Sequence, residues 1–281
     1  RALGGIYKVT SEGEDYAFTQ MEPLYARTAF PCFDDPRFKT PFDLTLRVRA
    51  EHVAAANAPS ESEEADGEHK TVRFATTPPI PTYLFALAVG PLDVVEGEAI
   101  EATDVRSTPL PFRGIAPKGH GEQLAYTMEH TGAILRQLET YFGIPYPYAK
   151  LDVVAVPDFG AGAMENVGLV TFRDTILLVD PATTPTNRLR FWAYIMAHEL
   201  GHMWFGNLVT MQWWDDLWLN EAFASWIEHT AVAGWREDYE ADVELADWVF
   251  RVYDNDSLLS ARAIHQPITT SHDIHNAFDG I

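Results

Sequence analysis

Phe191-Trp192-Ala193-Tyr194-Ile195-Met196-Ala197-His198-Glu199-Leu200-Gly201-His202-Met203-Trp204-Phe205 reads as an apolar helix interrupted by His198, Glu199 and His202. On a helix, residues four apart share a face, one turn apart. His198 and His202 are so spaced, and two imidazoles placed that way can hold one Zn2+ at about 2.0–2.1 Å. Glu199 leaves the same turn to one side. It can reach a metal-bound water without being a ligand, which makes it a candidate general base. Polar groups in so apolar a helix need partners, and a metal supplies them. An isolated H-E-x-x-H also occurs where two histidines are merely hydrogen-bonded, so a third ligand is required.

Glu221 is that candidate. It follows His202 after eighteen residues, within Trp213-Trp214-Asp215-Asp216-Leu217-Trp218-Leu219-Asn220-Glu221-Ala222-Phe223-Ala224. The interval lets the first helix, expected over 187–205, close at Gly206-Asn207 and a second, expected over 217–233, return beside it. Two histidines and a glutamate leave a coordination position open, as in catalytic zinc sites. Glu228 lies two turns beyond Glu221 and either orients a ligand or is a solvated charge. His272 and His275 sit among Thr269, Thr270, Ser271 and Asp273, and read as solvated rather than ligating.

Away from these helices, the first third reads as β-rich. Phe42, Leu44, Leu46 and Val48 alternate with polar residues, as do positions within 71–75. Positions 61–70 are acidic and fit an exposed hairpin loop, whereas Tyr83-Leu84-Phe85-Ala86-Leu87-Ala88-Val89 suits a buried strand. A helix is expected over 122–142, stopped by Gly143 and Pro145, then a buried strand over 151–156. A loop over 157–166 leads into apolar segments at 168–172 and 175–179. The expected organisation is α+β: an N-terminal antiparallel β-sandwich-like domain over 1–93, then a zinc-site domain over 94–281.

Composition limits the function. The chain has 281 residues, 47% of them hydrophobic, enough for one large domain or two modest ones. Its 41 acidic and 20 basic residues give a formal charge of -21, which disfavours nucleic acid and anionic membranes and favours cationic ligands. Cys32 is the single cysteine, so intramolecular disulfides and cysteine-rich zinc sites are excluded. A reducing, cytoplasmic setting is mildly favoured. No apolar run reaches membrane-spanning length. The start, Arg1-Ala2-Leu3-Gly4-Gly5, reads as mid-domain sequence, and the end carries no stop signal, as in a fragment of a longer protein.

The paired histidines, Glu221 and its spacing resemble the gluzincin aminopeptidases, the family of aminopeptidase N. Gly162-Ala163-Met164-Glu165-Asn166, after Ala161, resembles that family's exopeptidase signature. Gly162 and Ala163 leave backbone groups free to pair with an extended peptide, with Met164 and Asn166 beside them. The resemblance implies that Glu165 holds the substrate's α-ammonium. Thr19-Gln20-Met21-Glu22-Pro23 resembles an N-terminal-domain loop, in which Glu22 adds a second carboxylate and Gln20 lines the first side-chain pocket. Two carboxylates around one ammonium would explain a requirement for a free N-terminus. The small Ala161 suggests a roomy first pocket.

The resemblance covers nearly the whole chain, including Pro81-Thr82-Tyr83-Leu84-Phe85-Ala86. It implies a thermolysin-like catalytic fold, one Zn2+ per chain, peptide substrates with free N-termini and a helical domain following in the parent protein. It also implies a transition-state tyrosine about two residues after Phe278-Asp279-Gly280-Ile281; without it, turnover would fall about 10²–10³-fold. Val167 and Ala222 depart from the common Trp and Gly of the family. Three rivals stand. A thermolysin-type endopeptidase should lack the Gly-Ala-Met-Glu-Asn loop. A leukotriene-hydrolase-like epoxide hydrolase belongs to the same family. A catalytically impaired zinc-binding fragment or interaction module would bind metal without turnover.

Overall fold

The strand at the centre of the molecule is apolar on both faces, Asp152 excepted, because both faces are covered. In this computed structural model, which describes residues 3–278, Leu151–Val156 is buried along its whole length. Leu151, Val153 and Ala155 pack with the helices, while Val154 and Val156 pack toward Tyr7, Phe18, Ile80, Tyr83 and Trp214.

Twelve strands are described: β1 (Gly5–Ser11), β2 (Glu14–Gln20), β3 (Thr45–Arg49), β4 (Val53–Ala56), β5 (Ser60–Asp66), β6 (His69–Phe74), β7 (Leu87–Gly90), β8 (Leu92–Glu96), β9 (Phe112–Pro117), β10 (Leu151–Val156), β11 (Ala163–Met164) and β12 (Leu169–Arg173). The first seven form two antiparallel sheets, ordered β1-β2-β7-β4 and β3-β6-β5. The rest form a mixed sheet, β11-β12-β10-β9-β8, with β10 parallel to both neighbours. The helices are α1 (Ala26–Ala29), α2 (Ala125–Phe142), α3 (Asp174–Leu177), α4 (Thr186–Gly201), α5 (Leu217–Trp235), α6 (Ala241–Asp256) and α7 (Ser271–Ala277). Among the described residues, no helix is long and apolar enough to cross a membrane. The α+β class expected from the sequence is the one observed.

Several local expectations are corrected. The acidic stretch expected as a hairpin loop contains β5, an edge strand whose side chains are all exposed. With both faces in water it has no alternation to reveal it, and its charges discourage edge-to-edge pairing. The apolar run 83–89 is not one strand. It begins in a 3-10 turn (Thr82–Leu84) and only then enters β7. Of the two apolar segments after the loop, 168–172 falls largely in β12, and 175–179 begins in α3, Asp174–Leu177. The regular part of α4 ends at Gly201, not Phe205. His202 caps it, and Gly206 turns the chain at φ +127°.

α4 and α5 pack closely. A Cβ on Gly201 would lie 2.8 Å from Ile227 Cγ2, so glycine there lets α5 approach. Strand β8 runs across the position expected for the domain boundary and pairs with β9. Asp279, Gly280 and Ile281, on which the expectation of a following tyrosine rests, lie outside the described residues.

Candidate active site

His198 and His202 project from the end of α4, with ring centroids 4.6 Å apart. Glu221, on the first turns of α5, meets both: its Oε2 is 3.4 Å from His198 Nε2 and 3.8 Å from His202 Nε2. Four ligands at about 2.0–2.1 Å around zinc stand about 3.4 Å apart, so these three atoms have the separation of ligands around one ion. The opposite nitrogens are already engaged. His198 Nδ1 lies 2.8 Å from Glu228 Oε2, and His202 Nδ1 lies 3.1 Å from the Phe205 carbonyl. Such bonds leave Nε2 of each ring facing Glu221, where the three side chains would hold an ion. The residues present therefore fit a zinc ion.

Electrostatics agree. Burial would discharge His198, yet Glu221 and Glu228 outweigh it and raise its basicity well above the usual imidazole range. Burial would likewise raise the Glu221 carboxyl, but His202 and His198 pull it below its ordinary value. A proton on His198 Nε2 and a metal compete for one lone pair, so binding releases the proton.

Beside this triad stands a group of acids. Glu22, Glu165 and Glu221 offer oxygens within 4.8 Å of one another, as do Glu165 and Glu199 with His202. Glu22 arrives from the N-terminal half, after β2, whereas Glu165 follows β11. Burial, then Glu165, Glu221 and Glu199, push the Glu22 carboxyl well above the usual range. Burial also raises Glu199 well above it, against the pull of His198. Glu165 is raised by burial, with His202 opposing. Glu22 Oε1 and Glu199 Oε2 are buried without a hydrogen-bond partner among the described residues. Buried oxygens left unmatched mark a place for a cation or a donor.

The loop around Glu165 is held by residues the sequence did not single out. Arg173 donates to the carbonyls of Phe159, Gly160 and Ala161, and its backbone N–H to Gly162 O at 2.9 Å. Asn207 Nδ2 donates to the Glu165 carbonyl at 2.8 Å. Tyr83 donates its hydroxyl to Gly206 O at 3.0 Å. Ala161, Gly162 and Ala163 are partly exposed, and β11 is the sheet's edge strand. Gln20 Nε2 lies 3.5 Å from Met164 Sδ, joining the N-terminal loop to this motif. Asn166 is buried and bonds Thr171 Oγ1 at 3.1 Å, which bends the loop back on β12. His272 and His275 are exposed on α7 and join none of the candidate ligand groups among the described residues.

The Peptidase M1 N-terminal domain matches residues 1–84, and the Peptidase family M1 domain matches residues 126–281. The chain belongs to peptidase family M1. Among M1 relatives, aminopeptidase M1-B of Oryza sativa subsp. japonica is 40% identical over 275 residues, covering 98% of this chain and 31% of that protein. Puromycin-sensitive aminopeptidase of Caenorhabditis elegans is 40% identical over 268 residues, 94% of this chain and 28% of that protein. Glutamyl aminopeptidase of Bos taurus is 38% identical over 286 residues, 100% of this chain and 29% of that protein. The chain thus spans about three tenths of the length of these M1 relatives, and its resemblance to the aminopeptidase N family is borne out.

Proposed function

We propose that the protein is a zinc aminopeptidase that removes single residues from peptides with a free N-terminus. The observation that carries this reading is the approach of Glu22, Glu165 and Glu221 within 4.8 Å, beside two imidazoles suited to a metal. A metal-only site has no use for the extra buried carboxylates, whereas a substrate ammonium would neutralise them.

Zn2+ held by His198, His202 and Glu221 would supply Lewis acidity toward the scissile carbonyl and toward water. Glu199 takes a proton from the attacking water and delivers it to the departing amine. Glu22 and Glu165 hold the α-ammonium and so fix the cut one residue in. The edge of β11 offers backbone pairing to the peptide, with Gly162, Ala163 and Met164 along it and Gln20 and Ala161 at the first side-chain pocket. Glu228 holds His198 in its ligating orientation.

The two proposed units are residues 1–93 and 94–281. The parent protein is proposed to continue into a helical domain and to work in a reducing, cytoplasmic setting, a reading supported by the single cysteine in these 281 residues. Comparing an alanine anilide with its N-acetyl form tests the reading. The free-amine substrate should be cleaved and the blocked one not; equal cleavage of both would remove the exopeptidase assignment.

A further inference from the structure

We propose that Asn220 is a positioning residue that locks the amine-binding Glu165 and the metal-binding Glu221 into one arrangement; this rests on the function proposed above. Its Nδ2 lies 3.2 Å from Glu165 Oε1 and 3.3 Å from Glu221 Oε1. A carboxamide nitrogen carries two N–H donors, so both bonds form at once. The side chain is buried. Each bond uses one oxygen of its carboxylate and thereby selects the other. In Glu221 the bonded atom is Oε1, and Oε2 is the atom facing His198 and His202.

Only one amide orientation serves. Flipping it would direct Oδ1 at two carboxylates. In the observed orientation Oδ1 lies against Gly206, where a Cβ would collide with it, and it has no hydrogen-bond partner among the described residues. Gly206, at φ +127°, therefore makes the room that Asn220 fills. Aspartate at this position would remove the donors and add another negative charge to the crowded acids. Alanine would leave Glu165 Oε1 and Glu221 Oε1 without these bonds.

The test uses the whole chain as wild type, Asn220→Ala, Asn220→Asp and Asn220→Ser, each with and without Glu165→Gln. Zinc affinity is read by competition with a chromophoric chelator, and KM and kcat on the alanine anilide. Asn220→Ala is expected to weaken zinc binding about 10–100-fold and to raise KM more than it lowers kcat. In the Glu165→Gln background its effect on KM should vanish while its effect on zinc remains. Asn220→Ser, retaining one donor, should fall between, and it decides the matter if the alanine variant does not fold. Wild-type zinc affinity in the substituted chains would overturn the proposal, and so would KM effects that simply multiply across the double variant. If wild type cleaves neither anilide, the proposed function fails, and zinc competition alone still decides whether Asn220 positions Glu221.

Discussion

Asp152 and Glu165 are both buried acids in or beside the mixed sheet, yet their surroundings differ in kind. Asp152 accepts from Arg113 Nε at 2.9 Å, Arg113 Nη2 at 2.6 Å and Lys150 Nζ at 2.8 Å. Burial raises its carboxyl, but Lys150 and Arg113 outweigh that and hold it below its ordinary value. Arg106 and Glu139 make a similar knot, with Glu139 Oε1 also accepting from the Tyr146 backbone at 2.9 Å. Among the described residues, no Lys or Arg bonds the Glu165 carboxylate; Asn220 does, and its ionisable neighbours are Glu22, Glu199, Glu221 and His202. A charge group that neutralises itself belongs to the fold, and one left in surplus awaits something from outside.

Substitution should separate the two groups. Glu199→Gln removes charge from the surplus group, so kcat/KM on the free-amine anilide should fall about 10²–10⁴-fold while the melting temperature drops little or rises. A large loss of stability would break the contrast. Asp152→Asn strikes the satisfied group and should lower unfolding free energy by about 3–5 kcal/mol, measured by denaturant titration. Because the folded Asp152 carboxyl is depressed, its stabilisation is present above the ordinary value of 3.8 and is lost as pH falls through the lower folded value. Denaturation midpoints of the variant should therefore depend less on acid than those of wild type.

Glu22→Gln should raise KM for the free-amine anilide about 10–100-fold, the value of a charge-assisted hydrogen bond, and leave kcat nearly unchanged. That narrows the preference over the blocked substrate and leaves zinc content intact. The smallest effect sharpens the border between the groups. Glu228→Gln keeps an acceptor for His198 but loses its charge, and chelator competition should show zinc affinity lowered about tenfold.

What the sequence revealed, and what it hid, follows the same division. The pairing of His198 with His202 was legible because helical geometry sets them one turn apart, and Glu221 because the interval lets a second helix return beside the first. The run 151–156 was legible because a strand covered on both faces is largely apolar, Asp152 being its one charged residue and paired with Lys150 and Arg113. β5 was not, since an exposed edge strand leaves no hydrophobic period. The run 83–89 misled because Tyr83 and Leu84 are buried in a turn, and burial is not conformation. Asn207, Asn220 and Arg173 were missed for another reason. Their partners are backbone carbonyls and distant carboxylates, which sequence spacing does not encode.

Asn57 donates through Nδ2 to Leu84 O at 2.9 Å and to Val167 O at 2.8 Å, and accepts from Ala86 N at 2.8 Å. It rivets the N-terminal half to the segment just after Glu165, while Glu22 comes from that half and the candidate metal ligands from the other. On the function proposed above, the molecule resembles a ruler whose zero mark is shared between its two pieces. Pried apart, the second piece would keep the candidate metal ligands and Glu165 but lose Glu22, one of the two carboxylates that set how far from the end of a peptide the cut falls.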